Sequence, residues 1–599
     1  MIRNTRMALC ICLLLTTGAW AHVGVHPSVH DTVAGALERF KGQFSPEELA
    51  NLTLEQSLGA LTEDERHILG SEHITFRVNT PVEVFVIKDV RLKDEPFWLR
   101  ESGFKSTALR IQVGKREFDV WKKAFDEGAV GLGVNSLSGA GEHYFVGLRP
   151  QDAAAALTVT EIYPGGHTLG KLDEGAMPYA DEDNTITSLP AELKGLVLLR
   201  GLDERADAGK IVNVFRLTSY PSSATPDHVV LTWSGDPQTT QTIQWRTNAS
   251  AAKGAVAYLK KSDHDRFTPK SPTVVAAETQ RLETPDVVND PVVNRHTAVL
   301  SGLEPGTTYV YAVGDGTDEG WSALTEFTTA PAGDEPFSFI YMGDAQNGLE
   351  RWGSLVHNAF RSRPDAAFYI MAGDLVNRGG ERDDWDLFFE NAQGVFDRRQ
   401  VVPAIGNHEC QGGEPKLYLD HFALPKEGPE GIAPERAYAV RYSNALLLVL
   451  DSNLPAESQA AWAEQQLADS KATWKFVVYH HPAYSSAANR DNSGVLDIWT
   501  PIFDKYHVDL ALQGHDHAYL RTYPMKNKQR VSSPAEGTIY IVSVSGQKFY
   551  EQAPHDYTEV GMTNTATYQV LDIQISRDRM VYRAYDLEGK LRDEFVIEK

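Results

Sequence analysis

The sequence predicts a multidomain α/β chain, with an open sheet in its last half, a small β-sandwich before that, and a helical then β-rich region in front. Three observations carry this. Five strongly apolar runs, Phe337 to Met342, Ala367 to Met371, Val401 to Ile405, Trp474 to Tyr479 and Val508 to Leu512, read as short buried strands. Val229 to Trp233, Thr242 to Arg246 and Tyr309 to Val313 alternate like paired strands of a sandwich. Ser45-Pro46-Glu47-Glu48 and Thr62-Glu63-Asp64-Glu65 read as helix starts with acidic first turns. At 599 residues the chain is too long for one core, so three globular pieces are expected.

From the front, residues 1–21 read as an export signal. Arg3 and Arg6 precede an apolar run from Met7 to Leu15, and Ala19-Trp20-Ala21 is a suitable cleavage site. The run is short for a membrane span, and no later segment reaches that length. Of three cysteines, Cys10 and Cys12 leave with the signal, so only Cys410 remains and no internal disulfide forms. An exported protein without disulfides points to a bacterial periplasm or medium; Cys410 reads as an inert thiol. His22, His26 and His30 would suit a copper-binding N-terminus, but Pro27 breaks a helical arrangement.

Residues 22–222 form the front region. Val29 to Phe40 has helical spacing, and from His73 the period changes to strands at Ile74 to Val78, Val82 to Ile87 and Leu109 to Val113. His143 to Gly147 and Leu157 to Ile162 continue a β-rich module, and Pro164 to Pro190, rich in Gly, Asp and Pro, reads as a long loop. The sandwich is expected over 223–332 and the α/β domain over 335–599.

In the α/β domain each apolar run is followed by residues that ligate metals: Gly343-Asp344-Ala345-Gln346, Gly373-Asp374, Gly406-Asn407-His408-Glu409, Tyr479-His480-His481-Pro482, and Gly514-His515-Asp516-His517. A sheet of these strands collects Asp344, Asp374, Asn407, His480, His515 and His517 at one edge, where open sheets bind ligands. Two cations about 3.5–4 Å apart can clamp a phosphoryl group and lower the pKa of a water. Holding them so close requires an anionic bridge, for which Asp374 is the candidate. Asp344 and His517 then complete one metal, and Asn407, His480 and His515 the other. Mixed nitrogen and oxygen donors suit iron, manganese or zinc better than calcium or magnesium. His408, beside a ligand, is positioned to protonate a leaving alcohol.

These blocks resemble those of the calcineurin-like metallophosphoesterases, and Gly514 to Tyr519 is similar to the GH-x-HAY block of their purple acid phosphatase branch. Pro226 to Trp233, His296 to Leu303, Pro305 to Tyr309 and Tyr311 resemble that branch's β-sandwich leader. The final hairpin, with Tyr582, Tyr585, Asp586, Gly589 and Asp593, fits as well. The resemblance covers roughly Pro226 to the C-terminus. It implies a four-layer α/β sandwich behind a fibronectin type III-like leader, and hydrolysis of phosphoesters by metal-activated water.

Two departures stand out. The branch carries a tyrosine three residues after the bridging aspartate; here that residue is Asn377, which implies no tyrosinate-to-iron colour unless another tyrosine, such as Tyr519, reaches the metal. The first block reads Asp344-Ala345-Gln346, so Gln346 either supplies an amide oxygen to a metal or bonds to loop backbone. Gly373 to Gly379 also resembles the GD-x-VDRG block of protein phosphatases, on which Arg378 grips the phosphate; a structural ion pair is the alternative.

A net charge of −24 with no basic run argues against tight binding of long nucleic acid. The expected partner is a small phosphoester, a monoester in the first reading. A phosphodiesterase or nucleotidase, and a surface or polymer-binding protein with a vestigial metal domain, are the alternatives; the complete ligand set argues against the last. Because the sandwich strands carry no ligand constellation, a fragment from Asp334 is expected to keep metal-dependent hydrolysis if it stays soluble.

Overall fold

The computed structural model describes residues 27–599 apart from 93, 140, 265–269, 318–319, 412, 489, 491 and 575–577. The expected signal over 1–21, and His22 and His26, lie outside the described residues. Contacts divide the chain into two compact units, 1–217 and 218–599.

The first unit opens with the helices Val29–Gln43, Pro46–Ala50, Leu54–Ala60 and Glu63–Ser71. Each starts at a reciprocal cap: Ser28, Ser45, Thr53 and Thr62 accept from the N3 backbone N–H, and the N3 side chain returns to the cap N–H. Strands Ile74–Val78, Gly128–Leu132 and Val159–Tyr163 make a 3-stranded sheet, and a 7-stranded sheet holds Val82–Asp89 near its centre. The expected loop over 164–190 is corrected in two places. Leu169–Lys171 and Ile186–Ser188 are strands at opposite edges of the 7-stranded sheet. Their backbone groups find partners in Val197–Leu199 and Lys105–Val113, a long-range pairing that Gly-rich composition does not reveal.

In the second unit, strands from Asp227–Thr232 to Thr325–Thr328 fold round Trp245, Tyr309, Tyr311 and Phe327. They run on without a break into the α/β part, because Asp227–Thr232 pairs in parallel with Gln400–Ala404, giving a 13-stranded sheet. Phe337–Met342, Phe368–Ala372 and Gln400–Ala404 lie side by side in parallel within it. A 7-stranded sheet carries Ala445–Val449, Trp474–Val478, Leu510–Gln513 and Ile539–Val542, again in parallel. The two sheets meet face to face, with Phe339 of one edge-on to Phe476 of the other at 5.2 Å between centroids. Helices close the outside. Leu349–Ser362 buries Trp352, Leu355, Val356 and Ala359 on the first sheet, the spacing of one helix face. Glu457–Asp469 and Ser493–Tyr506 bury Ala463, Leu467, Trp499 and Phe503 on the second. This helix, sheet, sheet, helix stack is the four-layer arrangement the resemblance implied, and the single ligand-bearing sheet expected from the apolar runs is corrected to two: the turns of Asp344, Asp374 and Asn407 leave the first sheet and those of His480 and His515 the second, all at the C-terminal ends of parallel strands.

Candidate metal centre

At those strand ends the backbone is bent hard. Asp344, Asp374, His515 and His517 all adopt positive φ, between 48° and 76°, a conformation short polar side chains tolerate better than bulky ones. Two glycines make the turns possible by close approach. A Cβ on Gly406 would stand 2.1 Å from Asp374 Oδ1, and one on Gly514 2.4 Å from Asp344 Oδ2.

The donors converge in two groups that share a residue. One atom each from Asp374, His480 and His515 lies within 4.8 Å of the others, and so does one each from Asp344, Asp374 and His517. Asp374 Oδ2 is 3.1 Å from His480 Nε2, which is 3.1 Å from Asn407 Oδ1 and 3.2 Å from His515 Nδ1. Asp344 Oδ1 is 3.6 Å from His517 Nε2. His480 donates Nδ1–H to Ala372 O at 2.9 Å and His517 donates Nδ1–H to Lys548 O at 3.0 Å, which turns each Nε2 towards its group, as a lone pair on His517 and as the atom that exchanges a proton for a metal on His480. The donor set fits two cations, since carboxylate, amide and imidazole atoms are gathered at ligand spacing where no apolar core would place them.

Electrostatics distinguish the two carboxylates. Burial drives Asp344 well above the usual carboxylate range. Burial opposes the charge on Asp374 too, but His480 and the His408 N–H hold it below that range. His480 is the counterpart: burial alone would lower it, and Asp374 with Asp344 pushes it up to about 10. Burial lowers His515, and lowers His517 to about 4, so both present lone pairs. A cation entering this group displaces the proton held by His480. Metal affinity is therefore expected to rise by about tenfold per pH unit for each proton displaced, levelling near pH 10. Calorimetric titration in two buffers of different ionisation enthalpy measures the release; proton-neutral uptake at pH 7 contradicts it.

His408 stands at the rim. Its N–H binds Asp374 Oδ1 at 2.9 Å, its Nδ1 faces Asn377 O at 2.6 Å, and its Nε2 is 3.9 Å from Asp374 Oδ2. Arg378 follows the ion-pair alternative: its guanidinium is paired with Glu381, Asp383 and Asp384, three carboxylates that its own helix start supplies. The Tyr519 hydroxyl binds Asp593 Oδ2 at 2.7 Å and Tyr582 in the core. The ring lying against His517 is that of Tyr550, at 4.7 Å. Burial pushes the Cys410 thiol up to about 12, in keeping with an inert group.

Two anchoring carboxylates had no role assigned from sequence. Glu409 is buried and accepts the backbone N–H groups of Asp374, Leu375, Val376 and Gly406, tying two ligand turns together. Asp516, between two ligands, accepts from Ser485 Oγ, Ser486 N and Arg490 Nη1 and so fastens these three residues beside His515. The signal for Glu409 was present in Gly406-Asn407-His408-Glu409, since two glycine turns leave N–H groups that need a buried acceptor.

Comparison with known proteins agrees with this geometry. Residues 226–329 match the family model of the purple acid phosphatase N-terminal domain, and residues 337–519 match that of calcineurin-like phosphoesterases. An uncharacterized protein of Mycobacterium tuberculosis is 28% identical over 296 residues, 42% of this chain and 55% of that protein. The Fe(3+)-Zn(2+) purple acid phosphatase 12 of Arabidopsis thaliana is 25% identical over 353 residues, 55% of this chain and 71% of that one. A solved purple acid phosphatase from yellow lupin seeds shares the fold, with a TM-score of 0.55 at 15% identity over 89% of this chain and 91% of that one. The chain spans about half the length of the first curated relatives it matches.

Proposed function

From a chain that carries a calcineurin-like phosphoesterase domain behind a purple acid phosphatase N-terminal domain, we propose an exported hydrolase of phosphomonoesters that works with two metal ions. The observation that carries the reading is that Asp374 belongs to both donor groups, as the anion between two cations must. Asp344 and His517 serve one ion with Asp374; Asn407, His480 and His515 serve the other. Iron, manganese or zinc suits these donors. The bound pair supplies Lewis acidity at the phosphoryl oxygens and a water ionised near neutral pH.

The protein's own groups do the rest. The Ala372 and Lys548 carbonyls fix the imidazole orientations, and Glu409 fixes the spacing of the Asp374 and Asn407 turns. With Nδ1 turned to Asn377 O, His408 presents Nε2 as the ring atom through which a proton would pass to the departing alcohol. The monoester reading rests on the likeness to purple acid phosphatases. Export rests on Arg3, Arg6, the apolar run and Ala19-Trp20-Ala21; among the described residues no helix is long and apolar enough to cross a membrane.

Elemental analysis and a panel of mono- and diesters test this on the full chain. Two metal equivalents and faster monoester turnover are expected; dominant diester turnover replaces the substrate class, and a metal-replete, inert protein refutes the enzyme. His408→Ala should keep both metals and lose roughly 10²–10⁴-fold in rate on alkyl phosphates. The loss should shrink for nitrophenyl phosphate, whose leaving group needs little protonation. Equal losses on both would remove His408 from the proton-donor role.

A further inference from the structure

Gln346 is fully buried beside the donors. Its Nε2 lies 2.8 Å from Asp374 Oδ2 and 3.0 Å from His517 Nε2, while its Oε1 has no hydrogen-bond partner among the described residues. Both atoms facing the amide are metal donors, so without an ion its N–H groups bond to them, and with an ion its oxygen can join them. His517 Nε2 is necessarily a lone pair, because Nδ1–H is given to Lys548 O. Carboxamide oxygen and nitrogen exchange places by a half-turn about the last side-chain bond, and only the surroundings say which is where. The half-turn puts Oε1 at the point 2.8 Å and 3.0 Å from those donors. Neighbouring ligands on a six-coordinate ion at about 2.1 Å are about 3.0 Å apart, so the spacing is that of one coordination shell.

We propose that Gln346 Oε1 is a metal ligand that joins Asp344, Asp374 and His517. Three oxygens and one imidazole then surround this ion. The amide adds an oxygen without adding charge, so the shell, with Asp344 and a shared Asp374 as its anions, balances a divalent ion. Carboxylate and carbonyl donors favour manganese among such ions. The proposal rests on the two-metal reading above and deepens it, by choosing the charge and type of ion at one of the two positions.

The test is metal binding by the full-length protein, freed of metal and titrated with Mn²⁺, followed by calorimetry and by electron paramagnetic resonance. Wild type should bind two equivalents. Gln346→Ala should weaken one of them by at least about tenfold, since even indirect partners of a ligand are worth 10–100-fold, and should change the manganese spectrum. Gln346→Glu, nearly the same shape, should restore binding and shift that position towards Fe³⁺ by the added charge. Unchanged affinity and spectrum in Gln346→Ala overturns the proposal, as does a Gln346→Glu protein that binds no better than Gln346→Ala. Asp374→Ala separates the two levels. If wild type binds two ions, Asp374→Ala binds none and Gln346→Ala is unaffected, only the Gln346 assignment falls; if wild type fails to bind two, the two-metal reading falls with it.

Discussion

Asp374→Ala is expected to abolish binding of both metals and nearly all hydrolysis. Asp374 Oδ2 lies 3.1 Å from His480 Nε2, and Asp374 is the residue common to the two donor groups, so its loss leaves two cations facing each other without an anion between them. Coulomb repulsion at about 4 Å is then opposed by imidazole, amide and Asp344 alone. The effect on the metal-free fold should be small, because Asp374 and His480 are each other's main counter-charge there and His480 can release its proton. Elemental analysis after desalting, with turnover on a reactive aryl phosphate, measures both quantities. Two metal equivalents with normal turnover would falsify the assignment.

The second large effect is structural. A fragment starting at Asp334 was expected from sequence to keep hydrolysis if soluble; the structure predicts that it will not fold stably. Removing the sandwich turns Gln400–Ala404 into an edge strand, an open template for aggregation. It also uncovers apolar surface, since Val230, Trp233 and Ala330 belong to the same core as Phe339 and Phe368, with Trp233 edge-on to Phe368 at 5.6 Å. A buried charge network is cut as well: Arg246 binds Asp386 at 2.7 Å, Arg382 binds Asp290 at 3.1 Å, and Arg295 donates to His421 O at 2.8 Å. Within the full chain, Asp386→Ala leaves Arg246 and Arg382 short of a buried counter-charge and should cost about 3–5 kcal/mol, read as a lower denaturation midpoint. Dye binding, a melting curve and metal content on the fragment decide the larger question. A soluble fragment with a cooperative melt and two metals would show that the sandwich is an accessory after all.

Some of this was legible before any coordinates. The ligands follow apolar runs, so Asp344, Asp374, Asn407, His480, His515 and His517 could be assigned to strand ends; that the strands divide between two sheets packed face to face, and not one, could not be read from them. Helix starts at Ser45 and Thr62 were readable as well, because a cap and its N3 partner are three residues apart. The ion pairing of Arg378 was open to a sequence reading too, since its partners Glu381, Asp383 and Asp384 follow at once in the chain.

What the sequence determined by itself was the chemistry on offer and the order in which it arrives: metal donors at strand ends, an imidazole beside one of them, alternating strands ahead. Tertiary structure supplied the distances between turns 28 to 171 residues apart, such as Gln346 to Asp374 and Gln346 to His517, on which the sharing of donors depends. It also decided that the sandwich continues the catalytic sheet, through the pairing of Leu231 with Gln400. Local sequence reports propensity and pattern over a few residues; a parallel pairing or a shared ligand is a long-range contact whose partner leaves no mark on its neighbours.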